Sequence, residues 1–364
     1  MPRGAESAAV LPAHLTGAVI ILAIESSCDE TSAAVSVDGV LRANIVSSQL
    51  FHHRYGGIVP ELASRAHLRS IVPIVREALD TAGIGIEQVT HVAATQGPGL
   101  IGSLLVGLNF GKAFALSRGL PFIPVNHIEA HMIAAFLEEP HPAFPYLCLV
   151  VSGGHTQLML ARAVDDHEIL GATIDDAAGE AYDKVGKMLG LGFPGGPEID
   201  RRASRGDATR ITLPRPLLDS GDWRFSFSGL KTAVLYQLRR EAPEALAQGV
   251  PPPEEYLNDL CAAFQAAVVD VLVEKTLRAA AAWKLRDIVL AGGVSANSEL
   301  RRRMRTRGEA AGLRVFLPAP AYTTDNAAMV AQCAWMLLAR GHTGTLHAPA
   351  YSRTQHGSAD AATA

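Results

Sequence analysis

Two stretches decide the fold of this chain: ATQGPGLIGSLL, Ala94–Leu105, and LAGGVSANSELR, Leu290–Arg301. Each reads as the end of an apolar strand, a glycine turn and the start of a helix. Each belongs to a longer repeat. Residues 20–25 form an apolar strand followed by a polar turn and a return strand at 32–37. Residues 146–151 and 156–161 repeat that plan. Asp38-Gly39 is a hairpin signal that predicts a third strand over 40–48. A strand at 89–95, a helix at 100–117 and a strand at 122–125 complete the first half. A strand at 287–290, a helix at 295–311, a strand at 315–317 and a helix at 325–339 complete the second. A duplicated α/β unit is the reading that fits.

Between these parts, residues 60–79 have helical spacing, with Pro73 expected to kink or split the helix. The run EPHPAFP at 139–145 marks a lobe boundary. Residues 176–250 mix loop and helix, a proline-rich break covers 249–253, and a long helix is expected over 254–283. The expected layout is a tail at 1–17, a first lobe at 18–140, a second lobe at 141–345 with an insertion at about 176–250, and a tail at 346–364.

The chain has 364 residues, 48% of them hydrophobic, and a formal net charge of −4. It is long enough for two cores. The acidic balance excludes a general electrostatic grip on nucleic acid, so any RNA contact needs a local basic patch. Cys28, Cys148, Cys261 and Cys333 are far apart and read as free thiols in a reducing compartment. No apolar run has the length of a membrane span. Residues 18–24 are apolar but run straight into Glu25-Ser26-Ser27-Cys28-Asp29-Glu30, without a small-residue cleavage site. They read as the first core strand, and a cytoplasmic location is expected.

The stretch PVNHIEAH, Pro124–His131, carries His127 and His131 four residues apart. With residues 128–137 read as helix, the two imidazoles share a face and can close on one metal ion, which needs at least a third ligand. Two ordinary buried histidines are the alternative. In a zinc-protease HExxH helix the Glu follows the first His directly. Here Glu129 lies two positions after His127, roughly 200° round at about 100° per residue, and is expected to point away. Asp325 either caps the last helix or is free to be the third ligand.

Glycine turns between strand and helix present backbone N–H groups to phosphate. This chain has several, at residues 96–99, 152–154, 194–196 and 292–293, and none is a Walker A or GxGxxG. Asp175, Asp176, Glu180, Asp183, Glu198 and Asp200 form an acidic group. Capping of a helix starting near Asp176 accounts for part of it, but Asp183 lies too deep in that helix. Arg201, Arg202, Arg205, Arg210 and Arg215 form one basic set, and Arg301, Arg302, Arg303, Arg305 and Arg307 another; such runs are ordinarily solvated faces.

The segments AIESSCDETS, PELASRAH, TQGPGLIGSLLVG, NHIEAH, VSGGHTQL, DDAAGEAYDKVGKMLG, FPGGPEID, FSFSGLKT, AGGVSANSELR and TTDNAAM follow one another in the order of one family. Over roughly residues 21–339 the chain resembles the catalytic subunit of tRNA threonylcarbamoyl-adenosine synthesis (TsaD), long labelled O-sialoglycoprotein endopeptidase. The resemblance implies an actin-like, sugar-kinase-like ATPase fold, two duplicated α/β lobes around a nucleotide cleft. It implies one divalent metal, iron or zinc, held by His127, His131 and Asp325. It implies transfer of a threonylcarbamoyl group from threonylcarbamoyl-AMP to the exocyclic amine of the adenosine beside the anticodon, in tRNAs reading codons that begin with A. The implied substrate contacts are Val150, Val151, Ser152, Gly153, Gly154, Asp183, Gly196, Asp200 and Asn297, and Glu30 or Asp29 is a candidate general base. Implied partners are tRNA, a shorter paralogous subunit that pairs through the first lobe, a small ATPase and an upstream enzyme that makes the adenylate; no membrane is implied. The basic sets are candidates for guiding tRNA. Competing readings are a metalloprotease, a small-molecule kinase or carbamoyltransferase of the same fold, and a non-enzymatic scaffold.

Overall fold

The first strand, β1 (Ile20–Glu25), is buried along its whole length. It pairs antiparallel with β2 (Glu30–Val37) and parallel with β4 (His91–Gly97), and a central strand covered on both faces reads as an unbroken apolar run. The structure, a computed structural model, describes residues 17–353. The described residues divide into two compact units, one of residues 17–49, 59–137 and 325–353, the other of residues 50–58 and 138–324.

In the first unit the sheet order is β3-β2-β1-β4-β5, with β3 at Val40–Ser48 and β5 at Phe122–Asn126. The helices α1 (Pro60–Ala82) and α2 (Ile101–Arg118) pack against the sheet and each other, and α3 (His127–Ile133) follows β5 directly. Pro73 does not split α1 into two elements. It is exposed, while Ile71, Ile74, Val75, Ala78 and Leu79 anchor the opposite side in the core. The missing N–H costs one bond, and the buried face outweighs it.

The second unit repeats the plan. Its sheet order is β10-β9-β6-β7-β8, with β6 at Tyr146–Val151, β7 at Thr156–Ala163, β8 at Asp166–Ala172, β9 at Asp287–Ala291 and β10 at Arg314–Phe316. Both sheets therefore place a hairpin-linked three-strand meander beside two parallel strands. The strand β8 is an element the sequence reading lacks; it is an edge strand with only one buried residue, so its apolar signal is weak. The helices are α4 (Ala178–Met188), α5 (Gly195–Ala203), α6 (Ser228–Glu241), α7 (Pro243–Gln248), α8 (Glu254–Ala282) and α9 (Ser298–Ala310). The core gathers Leu149, Tyr182, Phe225, Phe264 and Leu290 around α8, whose length is apolar on nearly every side.

The last helix, α10 (Ala327–Ala339), packs on β1, β2 and α3. It belongs to the first unit, where the sequence reading had extended the second lobe to residue 345. Side chains of the first sheet hold its leading amides: Ala327 N–H donates to Ser32 Oγ at 2.9 Å and Ala328 N–H to Asn44 Oδ1 at 3.1 Å. The expected tails differ too. Residues 1–16 and 354–364 lie outside the described residues, but 346–353 are held on the first unit. Gln96 donates to the carbonyl of Pro349, Lys112 to that of Ala348, and Tyr351 N–H to the carbonyl of Gln96. All four cysteines are free thiols. Among the described residues, no helix is long and apolar enough to cross a membrane.

The Asp38-Gly39 turn has φ of 51° and 78°, the left-handed pair a type I′ hairpin requires. A Cβ on Gly39 would lie 2.5 Å from Nε1 of Trp335 on α10. Gly39→Ala is expected to destabilise the protein by about 2 kcal/mol, from backbone strain plus overpacking. Urea unfolding checks this, and Gly56→Ala, also at positive φ but with open space around it, should cost less.

Candidate metal centre and glycine turns

Asn126 ends β5 and caps α3, its Oδ1 accepting from Ile128 N–H at 2.8 Å and Glu129 N–H at 3.2 Å. The cap starts the helix at His127, one residue earlier than expected, and the regular helix ends at Ile133 with a tighter turn to Leu137. His127 and His131 thereby lie one turn apart, both buried, with their rings edge to face and centroids 4.6 Å apart. The Nε2 of His131 lies 3.0 Å, and that of His127 3.4 Å, from Oδ1 of Asp325. Asp325 does not cap α10. Asn326 does, accepting from Met329 N–H at 3.1 Å, which leaves the Asp325 carboxylate to the histidines. The three side chains offer ligand atoms within 4.8 Å of one another, the convergence a metal ion needs. Two imidazoles and one carboxylate are a donor set that fits a divalent transition ion.

The electrostatics agree. Burial alone would raise Asp325, but the two imidazoles hold its carboxyl well below the usual range. Burial alone would lower His127, but the carboxylates of Asp325 and Glu25 hold it well above its ordinary value. Without a cation, the two carboxylates thus favour a proton on His127.

Glu25 is the functional candidate that sequence reasoning missed. It ends β1, is fully buried, and accepts from Ser27 N–H, from Thr95 Oγ1 and, at 3.2 Å, from Nδ1 of His127. An acid closing an otherwise wholly apolar strand, IILAIE, was the available signal. Glu30 begins β2. Burial first, then the negative charges of Asp325 and Asp29, push its carboxyl up to about 9. In the absence of a cation this environment favours the neutral carboxyl.

The second unit brings together most of the other predicted residues. Ser152-Gly153-Gly154 is the β6–β7 turn, closed by Ser152 N–H donating to the carbonyl of His155 at 2.8 Å. The start of α4 abuts it so closely that a Cβ on Gly179 would lie 2.6 Å from the Ser152 carbonyl oxygen. Gly153 and Gly154 face open space, so packing does not explain them. Asp183 on α4 accepts from Gly195 N–H at 2.8 Å, beside Gly196 at the start of α5. Asp200 on α5 accepts from Gln265 Nε2 at 3.0 Å and from both N–H and Oγ of Ser298. Asn297 donates to Gln265 Oε1 at 2.8 Å and caps α9 through Leu300 N–H. Gln265, which the sequence reading did not single out, joins the two. The Val150 and Val151 side chains are fully buried, so only their backbone is available to a ligand. A cavity of about 630 Å³ lined by Arg210, Thr212, Gln237, Arg240, Tyr256 and Asp259 involves none of these residues.

One expectation is corrected. The helix after Asp176 begins at Ala178 and has no side-chain cap. Asp175 instead binds the start of α6, accepting from Phe227 N–H, Ser228 N–H and the hydroxyls of Ser226 and Ser228. Asp176 pairs with Lys184 and Lys231. The arginine sets are largely neutralised in place. Arg201 and Arg202 pair with Glu198, Arg210 with Glu255 and Asp259, Arg215 and Arg303 with Asp270, Arg302 with Glu299 and Arg307 with Glu274. Arg301 donates to the carbonyls of Ser295, Leu317 and Pro318.

Among solved structures, component A of (R)-2-hydroxyglutaryl-CoA dehydratase from Acidaminococcus fermentans is similar with a TM-score of 0.53 at 14% identity, covering 88% of this chain and 99% of that one. Full-length HypF is similar with a TM-score of 0.59 at 13% identity, over 88% of this chain and 46% of that one. These likenesses carry the fold alone. With the two matching sheets, they define the class: an actin-like fold of two duplicated α/β lobes.

Residues 40–332 match the family model described as TsaD, tRNA N6-adenosine threonylcarbamoyltransferase. Proteins of that description from Phocaeicola vulgatus, Thermosipho africanus and Salinibacter ruber are 49%, 47% and 51% identical to this chain. The alignments cover 92%, 89% and 89% of it and 98%, 96% and 96% of them. The chain belongs to the TsaD family of tRNA N6-adenosine threonylcarbamoyltransferases.

The proton on metal-free His127 sets the sign of a pH dependence. A cation must displace it, so zinc affinity is expected to rise with pH through neutrality, releasing about one proton. Asp325→Asn removes a ligand and the charge that holds the proton, and should lower both the affinity and its pH slope. Calorimetry in buffers of different ionisation enthalpy measures both; an affinity independent of pH would contradict the assignment.

Proposed function

We propose that this chain transfers the threonylcarbamoyl group from threonylcarbamoyl-AMP to the exocyclic amine of the adenosine beside the anticodon, in tRNAs reading codons that begin with A. Family membership over most of the chain supports the reaction. The observation that carries the site is the buried convergence of His127, His131 and Asp325.

We assign those three side chains to one divalent ion, Fe²⁺ or Zn²⁺, both suited to imidazole and carboxylate donors. When bound, the ion supplies a Lewis acid for an oxygen of the acyl donor. The exocyclic amine of adenine is a weak nucleophile, so activation belongs to the mixed anhydride and to positioning. The open Ser152-Gly153-Gly154 turn suits the adenylate phosphate, which backbone N–H groups bind without a charged side chain. Asp183, Gly196, Asp200 and Asn297 are assigned to the rest of the adenylate, with Gln265 holding Asp200 and Asn297 in place. Glu30, at the start of β2, or the neighbouring Asp29 is assigned as the candidate general base.

The partners we assign are tRNA, a shorter paralogous subunit, a small ATPase and an upstream adenylate-forming enzyme, in the cytoplasm. Helices α1 and α2 leave Leu68, Val72, Ile101, Leu105 and Leu116 exposed, an apolar surface that suits the paralogue. The paired arginines weaken the case for either basic set as the main tRNA guide. The protease reading lacks its base: the carboxylate reaching His127 is Glu25, on the Nδ1 side, away from the converging ligand atoms.

The test supplies the protein and its partners with threonylcarbamoyl-AMP and unmodified tRNA, then examines digested nucleosides by mass spectrometry. The expected result is threonylcarbamoyladenosine from the wild type, with His127→Ala and Asp325→Ala about 100-fold or more slower, the loss typical of a removed electrostatic contact. Metal-loaded protein that makes no modified nucleoside but cleaves a glycoprotein or phosphorylates a small acceptor would overturn the reading.

A further inference from the structure

We infer that Glu25 is a positioning residue for the metal centre: its carboxylate holds the Nδ1–H of His127 and so turns the Nε2 lone pair toward Asp325 and His131. The inference rests on the metal reading above and adds the residue that prepares one of its ligands.

Glu25 is completely buried at the end of an apolar strand. Such a carboxylate persists only where donors compensate it. Among the described residues its one ion-pair partner is His127, 3.2 Å away. Two further donors fix its orientation, the backbone N–H of Ser27 and the hydroxyl of Thr95, each at 2.5 Å. The carboxylate is thus oriented from three sides, by β1's own turn, by β4 and by α3.

The chemistry follows from the imidazole ring. A neutral imidazole has one N–H and one lone pair, and an ionised carboxylate only accepts. The nitrogen facing Glu25 therefore carries the hydrogen, and Nε2 keeps the lone pair that a cation takes. The hydroxyl of Ser27 also lies 3.2 Å from Nδ1 and can share that hydrogen. His131 differs: its Nδ1 is buried without a hydrogen-bond partner among the described residues. Among the described residues, only His127 of the two histidines has a carboxylate on its Nδ1 side, opposite the converging ligand atoms. Glu25 has no exposed surface, so it acts through His127 and does not touch substrate.

The experiment compares wild type, Glu25→Gln and Thr95→Val. Zinc affinity is measured by competition with a chromophoric chelator, and the ring proton of His127 is followed by NMR in the zinc-loaded protein. Glu25→Gln keeps the volume and removes the charge. It is expected to weaken zinc binding about 10- to 100-fold, the loss seen when a partner of a ligating histidine is removed. The Nδ1 proton, shifted downfield by a charged acceptor in wild type, should move upfield. Glu25→Gln also breaks a buried ion pair and is expected to lower the unfolding midpoint of the metal-free protein, so affinities are compared under conditions where every variant is folded. Should Glu25→Gln fail to fold, Thr95→Val leaves the carboxylate but removes one donor, and weaker binding in the same direction is expected. Equal zinc affinity across the folded variants, or a His127 proton unmoved by Glu25→Gln, would overturn the proposal while leaving the metal reading intact. Wild type that binds neither Zn²⁺ nor Co²⁺ would instead overturn the metal reading, and this proposal with it.

Discussion

Burying charge at one end of the first sheet is the constraint on which this unit depends. Glu25 and Asp325 face two imidazoles away from solvent, an arrangement that is costly unless every charge is compensated. The ligands come from segments nearly two hundred residues apart. His127 and His131 arrive at the end of β5, and Asp325 arrives only because the chain returns after the second unit to lay α10 across β1 and β2. The bonds from Ser32 and Asn44 to the leading amides of α10 fix where that return begins. The late helix thus completes the site as well as the core, which explains why a chain built as two repeats does not divide cleanly in the middle.

The second unit uses a different physical device. The proposed adenylate contacts there are an open glycine turn, Asp183 holding the start of α5, and a Gln265 bridge between Asp200 and Asn297. Such a surface can hold an anion or a nucleoside without a permanent positive charge. The arginines nearby are spent on their own acidic neighbours, consistent with a chain of net charge −4. Recognition of a polyanion by this protein therefore falls to shape, to short patches and to partners more than to a bulk field.

Much of this was legible in the sequence, and the failures have physical causes. The repeat showed because buried parallel strands are apolar throughout and their glycine turns stand out. The histidine pair showed through its i,i+4 spacing. Asp325 did not show by itself, since an acid before Asn326 reads equally well as a cap; the resemblance decided it, and the Asn326 cap shows why the alternative fails. Glu25 was passed over because a strand-ending acid looks like the edge of an element, and only the fold brings it to His127 across 102 positions. A local cap near Asp176 fails because the partners of Asp175 are the distant Ser226, Phe227 and Ser228. The weak alternation of β8 and the packing of residues 346–353 depend on tertiary contacts that no local pattern encodes.

The most direct measurement is X-ray absorption at the metal edge of the loaded wild-type protein. The account predicts a first shell of nitrogen and oxygen with the multiple-scattering signature of two imidazoles, reduced to one in His131→Ala. A shell dominated by sulfur, or one without imidazole scattering, would contradict the claim that His127, His131 and Asp325 form the metal centre.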